Sequence, residues 1–517
     1  MHLTFLVTTT PPPIFCIVFY PGFKSRSIES IGIMTNCFLP SIRFFRNALV
    51  LATAFAILGV MALSGLASAT MPSTTAVTTI TVGTGPTGVA VSPDGSSVWI
   101  ANWNVGTGNT VSRINTATNL VTNTITVGSG PLDVAVSPDG SSVWVTNYGH
   151  GITDGTVSRI NTATNAVTAA ITVGTGPVGV AVSPDGSRVW VANQGDGTGN
   201  TVSVINTATN TVVGPPITVG TGPVGVAVSP DGSSVWVANS GDGTVSQINT
   251  ATNTVVGSPI TVGTGPYSIA VSPDGSSVWT ANWGTPGTGN TVSRIDTATY
   301  AVTSITVGTG PIGVAVSPDG SSVWVTNSNG TTVSRINTTT NAVTSITVGN
   351  NPQGVAVSPD GSSVWVSNGG DGTVSRIIFP PQAPSSVTAT PGDTKATISW
   401  SAPTNTGGSP ITGYSATASP GGKSCTTTTA TSCTISGLTN GTTYSVSVTA
   451  TNAVGTSEPS VVAVTPAVPV VTATAAIAKL AATGSDLFNP SWLVVALFGL
   501  GGGALLVSRR RKTQPHS

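Results

Sequence analysis

The tripeptide Pro-Asp-Gly recurs at a nearly fixed interval, starting at Pro93, Pro138, Pro184, Pro230, Pro273, Pro318 and Pro359, 41–46 residues apart. Around it each unit reads close to G-V-A-V-S-P-D-G-S-S-V-W-V-A-N, a variable loop, G-T-V-S-R-I-N-T-A-T-N and V-x-x-I-T-V-G-T-G-P. A repeat of this length marks an array whose single unit cannot bury its own apolar faces. Four strands are predicted per unit. In the third, Val180-Ala181-Val182 is the first strand. Pro184-Asp185-Gly186 then turns the chain, since Pro presets φ and Gly accepts positive φ. Val189-Trp190-Val191 is the second strand, and Thr201 to Ile205 is the third, with alternating apolar residues. Thr211 to Val219 is the fourth, and Thr221-Gly222-Pro223 ends the unit.

Seven such units predict an all-β body over residues 74–379, a seven-bladed β-propeller whose neighbouring blades cover each other's faces and leave short edges. One tryptophan recurs in every predicted second strand: Trp99, Trp144, Trp190, Trp236, Trp279, Trp324 and Trp365. Such repetition fits a core aromatic between blades better than seven binding sites. The last unit runs into Phe379-Pro380-Pro381 without a fourth strand, while Ala76 to Val82 is a spare strand ahead of the first unit. Residues 76–82 are therefore expected to complete the seventh blade.

Charged residues are 7% of the chain and its formal net charge is zero. Between residues 70 and 379 there is neither Lys nor Glu. Phosphate recognition needs clustered cations, so no nucleic-acid partner is expected. His2, His150 and His516 are the only histidines, whereas zinc sites need several His or Cys at short spacing. No metal and no cofactor is expected. The acids of the repeats are aspartates in equivalent turns (Asp94, Asp139, Asp185, Asp231, Asp274, Asp319, Asp360), read as structural. Asp196, Asp242 and Asp371 sit in Gly-Asp-Gly-Thr loops, which offer few of the six to eight oxygens calcium wants. No asymmetric acid–base pair stands out, so the chain is not expected to be an enzyme.

The two ends read as export and anchoring signals. Arg43 and Arg46, the apolar stretch Ala48 to Leu63, and Ala67-Ser68-Ala69 have the order of a cleaved signal peptide within residues 1–69. Residues 1–33 fit that order poorly, and Met34 is the expected translation start. At the other end Leu480-Ala481-Ala482-Thr483-Gly484 precedes an apolar segment, 491–507, and Arg509-Arg510-Arg511-Lys512. The segment is at the short limit for a membrane helix, and the basic tail would stay cytoplasmic. This 480–512 region resembles the Leu-Ala-x-Thr-Gly sorting signal of class E sortases in high-GC Gram-positive bacteria. The resemblance implies cleavage between Thr483 and Gly484 and linkage of Thr483 to cell-wall peptidoglycan. A plain single-pass anchor is the alternative. In either case the membrane is met only through the terminal segments.

The body resembles the YVTN-type β-propeller repeat of bacterial and archaeal surface proteins, on V-x-V-S-P-D-G, V-W-V-A-N or V-W-V-T-N, and G-T-V-S-x-I-N-T-A-T-N. These motifs specify a fold and carry no activity. Residues 383–466 differ: Ile398-Ser399-Trp400, Ile411-Thr412-Gly413-Tyr414 and Leu438-Thr439-Asn440-Gly441-Thr442-Thr443-Tyr444 resemble a fibronectin type III sandwich. Tyr444 would be its corner tyrosine, bonding back to upstream backbone. Cys425 and Cys433 flank a Thr-rich hairpin and are expected to form a disulfide across it. Residues 467–479 read as a stalk.

Specific binding should break the repeat symmetry on one face. Asp133, Tyr267 and Gln353 are expected in the loops leading into first strands, where other units have Gly or a small apolar residue. Trp103, Tyr148, His150, Asp154 and Trp283 are expected in the loops leaving second strands, as exposed groups that stack on sugar rings and bond hydroxyls. Together these features predict a cell-surface, wall-anchored adhesion or scaffold protein that binds carbohydrate or an extracellular protein. The alternatives are an extracellular enzyme acting on polysaccharide or lactone-type substrates, and an envelope-assembly or sensory protein.

Overall fold

The computed structural model describes residues 75–149, 154–284 and 286–469. The signal region 1–69, His150, most of the 467–479 stalk, Thr483, Gly484 and the 491–507 segment lie outside the described residues. Among the described residues the chain is all-β, apart from a single 3-10 turn, Asn104–Gly106. No helix among them is long and apolar enough to cross a membrane.

The repeats form seven separate antiparallel sheets, six of four strands and the third of five, and no sheet closes on itself. Numbered in chain order, the seven sheets begin with Pro86–Val91, Pro131–Val136, Pro177–Val182, Pro223–Val228, Pro266–Val271, Pro311–Val316 and Pro352–Val357. The proline of Thr-Gly-Pro thus opens a strand, where its missing N–H is tolerated, instead of closing the previous unit. Pro86 pairs with Asn102, and the register shifts before Val89 pairs with Ile100. The same bulge recurs in the other six sheets, taking the two residues after each proline out of the regular ladder. The third sheet departs from the expected Thr211-to-Val219 strand. Its outer edge is two short pieces, Thr211–Val212 and Ile217–Thr218, because Pro215 and Pro216 have no N–H to donate.

Ala76–Thr81 pairs antiparallel with Thr373–Ile378, Ala76 opposite Ile378 and Thr81 opposite Thr373, and is the fourth strand of sheet seven. The apolar core lies between sheets. Trp99 packs with Val134, Val143, Val145 and Ile160 of sheet two, and the pattern repeats along the chain. A last cluster joins Trp365, Val374 and Ile80 of sheet seven to Val89, Val98, Ile100 and Ile114 of sheet one. The repeated Val-Ala-Asn motif has its own logic. Asn102 is buried and donates through Nδ2 to Thr110 Oγ1 (3.1 Å) and Ser112 Oγ (3.0 Å). A Cβ on Gly83 would lie 2.4 Å from the Asn102 Cγ, so the preceding Val-Gly must keep its glycine.

Polar clasps reinforce the sheet boundaries. Arg113 stands one strand from Trp99, with its guanidinium 4.9 Å from the ring centre. It donates back to Ser97 Oγ (3.1 and 3.0 Å) and forward to the Thr162 carbonyl (2.8 Å) and Asn165 Oδ1 (2.9 Å) in the next sheet's Asn-Thr-Ala-Thr-Asn turn. Arg159 repeats this clasp, and Arg376 makes its forward half, donating to the Thr116 carbonyl and Asn119 Oδ1 of sheet one. In the Pro-Asp-Gly turns, the Ser183 and Ser272 hydroxyls donate to Asp185 and Asp274 at 2.5 Å and, with backbone N–H groups, hold both carboxyls down at about 2. Depressed carboxylates contribute stability that is present at neutral pH and lost as pH falls from about 4 toward 2.

The second body is a two-sheet sandwich. One sheet is Ser385–Gly392, Lys395–Ser401 and Ser432–Ser436; the other is Lys423–Thr427, Ile411–Ser419, Tyr444–Asn452 and Ser460–Val464. Trp400 and Tyr414 pack in its core with ring centres 5.5 Å apart. The Tyr444 hydroxyl accepts the Thr439 N–H at 3.0 Å. Cys425 and Cys433 are bonded, but they lie on different sheets. The bridge therefore ties the two layers together and does not span a hairpin within one sheet. Reducing it is expected to lower the stability of this body by about 2.5 kcal/mol, from the loop entropy released. A calorimetric scan with and without reductant would read this as a shift of one transition. At the junction, Phe379 donates its N–H to the Gly407 carbonyl (2.7 Å), and Asn452 Nδ2 donates to the carbonyls of Phe379 (2.9 Å) and Thr406 (2.8 Å).

Candidate functional site

The bulge after each proline decides where function can sit. In all seven sheets the two bulged residues of the first strand turn toward one shared cavity of ≈ 110 Å³. Most of these pairs are a small or aliphatic residue followed by Gly, as in Val178-Gly179 and Val224-Gly225. The symmetry breaks at Leu132-Asp133, Tyr267-Ser268 and Gln353-Gly354. Asp133, Tyr267 and Gln353 are thus not in loops. They lie inside first strands and line the cavity, because the register shift re-aims side chains that regular pairing would alternate.

Hydroxyls on second strands stitch this lining together. Thr146 Oγ1 donates to the Val178 carbonyl (2.7 Å), Thr326 Oγ1 to Gln353 (2.5 Å), and the Ser367 hydroxyl to the Thr87 carbonyl of sheet one. Thr87 Oγ1 donates to the Leu132 carbonyl at 2.8 Å. The Asp133 carboxylate is half-buried. It accepts its own neighbour's N–H, Val134, at 2.9 Å, and the N–H of Val180 from sheet three at 3.1 Å. Burial raises its pKa to about 6 against these two stabilising bonds. Burial and, after it, the charge of Asp133 push the Tyr267 phenol up to about 12. Ser268 takes the place of the repeat glycine, and its hydroxyl accepts the Val314 N–H of the next sheet at 3.3 Å.

The loops leaving second strands lie over the same end. The N–H groups of Trp103, Tyr148 and Trp283 donate to the carbonyls of Gly85, Gly130 and Gly265 at 3.0, 2.9 and 2.9 Å, beside the prolines that open first strands. These rings are half-buried and not the exposed groups expected. Trp103 has its Nε1 buried without a partner. Trp283 packs on Tyr267 with centres 6.3 Å apart. Tyr148 donates to Asp196 Oδ1 at 3.4 Å, and burial followed by the Asp196 charge raises its phenol. The structure therefore brings Asp133, Tyr267 and Trp283 into one neighbourhood, and Tyr148 adjoins it through its interaction with Tyr267. Trp103 stands apart from that neighbourhood, and His150 is outside the described residues. Ser268 escaped the sequence reading, and Asp196, known there only as a Gly-Asp-Gly-Thr loop residue, is the partner of Tyr148. Ser268 carried the same signal as Asp133, a side chain where the repeat has glycine. Among the described residues no three His, Cys, Asp or Glu side chains are grouped to hold a metal ion.

Residues 381–465 match the family model of the fibronectin type III domain, and this part of the chain is such a module. The solved structure of Kuenenia stuttgartiensis hydrazine synthase resembles the chain with a TM-score of 0.52 at 24% sequence identity, covering 58% of this chain and 97% of that one. At that identity the likeness is one of fold. No curated protein matches the chain.

Proposed function

We propose that the seven sheets form a closed seven-bladed β-propeller, completed by Ala76–Thr81, and that it is the interaction platform of a secreted, wall-anchored surface protein. The observation that carries this reading is the shared cavity. Equivalent positions of all seven sheets converge on it, and Asp133, Tyr267, Ser268 and Gln353 break the repeat there. A concave, mainly apolar lining with a few convergent polar groups is the usual form of a recognition site. The signal region, the LAATG segment with Thr483 and Gly484, and the fibronectin type III module support placing the platform outside the cell on a spacer. Binding is preferred to catalysis because general acid–base chemistry needs a matched partner. Beside Asp133 stands a phenol held near 12, which is no matched acid or base for it at neutral pH.

The ectodomain, residues 70–479, should be captured on glycan or matrix-protein arrays. Tyr148→Ala and Trp283→Ala are each expected to weaken capture about tenfold or more, the scale of an aromatic anchor. Capture that survives both substitutions unchanged would remove this face from the proposal.

A further inference from the structure

The chemistry of the cavity narrows its ligand. Its volume, ≈ 110 Å³, is well under the roughly 300–1,000 Å³ of small-molecule sites. It admits a group the size of one side chain and not a sugar ring with its hydroxyl shell. Its one full charge is Asp133. A carboxylate has about four acceptor positions, and two are taken by the Val134 and Val180 N–H groups, leaving two for a donor in the cavity. No basic side chain lines the cavity, and the repeats contain no lysine. A half-buried carboxylate without a counter-cation is costly, and a cationic ligand removes that cost. Tyr267, tilted against Trp283, adds aromatic surface that favours cations over neutral groups.

We infer that the axial cavity receives the ammonium end of a lysine side chain presented by a partner protein, with Asp133 as counter-ion and Tyr267 as the aromatic wall. This rests on the platform reading and specifies its partner. An ammonium supplies three donors on a slim alkyl stem, matching the two open acceptor positions and the narrow apolar lining. The titratable group that faces Asp133 is Tyr267, with Tyr148 beyond it and Asp196 beyond Tyr148. Both phenols remain protonated through neutral pH, so the pH response near 6 belongs to Asp133. Its carboxylate must be ionised to bind.

The test uses the whole ectodomain and three probes: the peptide acetyl-Gly-Lys-Gly-amide, the same peptide with the lysine ε-nitrogen acetylated, and the free diamine cadaverine. The lysine peptide should bind, and its affinity should fall about tenfold between pH 7.5 and pH 5 as Asp133 takes up its proton. Acetylation should abolish binding. Asp133→Asn should weaken it at least tenfold at pH 7.5 and flatten the pH profile, with an unchanged circular dichroism spectrum. The pH profile of the unsubstituted protein decides the matter if that variant fails to fold. Equal binding of the acetylated peptide, or a flat profile, would overturn the inference. Binding of cadaverine with the peptide excluded would overturn the partner-protein source. Array capture that needs Trp283 but ignores Asp133 would leave the platform reading standing while sinking this one. An ectodomain that captures nothing and binds no probe would sink both.

Discussion

Deleting residues 75–82 is expected to cost most of the cooperative stability of the repeat body. The deleted strand carries Ile80, 6% exposed and packed against Trp365 and Val374. Burial of such a side chain is worth roughly 1.5–3 kcal/mol. The strand also pairs with Thr373–Ile378 along its whole length, at about 0.5–1.5 kcal/mol net per hydrogen bond. Together the loss is about 5 kcal/mol or more, against a total of about 5–15 kcal/mol for a typical domain. The damage is not local, because the same apolar cluster holds sheet seven to sheet one. The freed edge, Thr-Val-Ser-Arg-Ile-Ile, is rich in β-branched residues and has no lysine to discourage pairing. Gel filtration should therefore show association, and a synthetic peptide of residues 75–82 should reverse it by adding the strand in trans. A melting temperature within about a degree of the parent's would show that the seventh sheet does not depend on this strand.

Much of this arrangement is legible in the sequence, because its causes are local. Proline and glycine at fixed offsets dictate the Pro-Asp-Gly turns, and alternating valines dictate the strands between them. The unit that lacks a fourth strand and the unpaired Ala76 to Val82 segment are visible as a mismatch of counts. What stays hidden is anything that depends on register or on a neighbour about 45 residues away. Asp133 and Tyr267 read as loop residues because they follow Gly-Pro. A bulge in the first strand, invisible in the alternation, turns them to the shared cavity. Trp283 and Tyr148 read as exposed because their segments are irregular, yet Tyr267 and the Asp196 loop cover them. The arginine clasp was equally hidden. Arg113 looks like an ordinary solvated charge in a strand, and its partners Thr162 and Asn165 belong to the next repeat.

The clasp also explains two irregularities as compensated exchanges, and the third sheet as an uncompensated one. In sheet four Gln247 replaces the arginine, and the facing turn has Tyr300 in place of asparagine. Tyr300 donates to Gln247 Oε1 at 2.9 Å, and its ring packs 6.4 Å from Trp236. At the end of the series Phe379 packs on Trp324, 5.6 Å between centres, where no further turn is available. In sheet three the residues are transposed. Val204 occupies the arginine position and Arg188 the serine position. Arg188 Nη1 is buried without a partner, and so is Asn253 Oδ1 in the facing turn. Each buried unsatisfied group costs about 1–3 kcal/mol. The double substitution Arg188→Ser with Val204→Arg restores the repeat. The new guanidinium would lie over Trp190, bond back to the serine and forward to Asn253. We expect a gain of about 2–4 kcal/mol, read as a rise in denaturant midpoint at constant slope. Neither single change should achieve it. Val204→Arg alone sets two guanidinium groups side by side, and Arg188→Ser alone opens a void beside Trp190 while Asn253 stays unpaired. A double-mutant cycle should therefore show favourable coupling of at least about 1 kcal/mol. If the double variant merely sums two destabilised singles, the clasp is incidental packing and the boundary between sheets three and four is held by its apolar cluster alone.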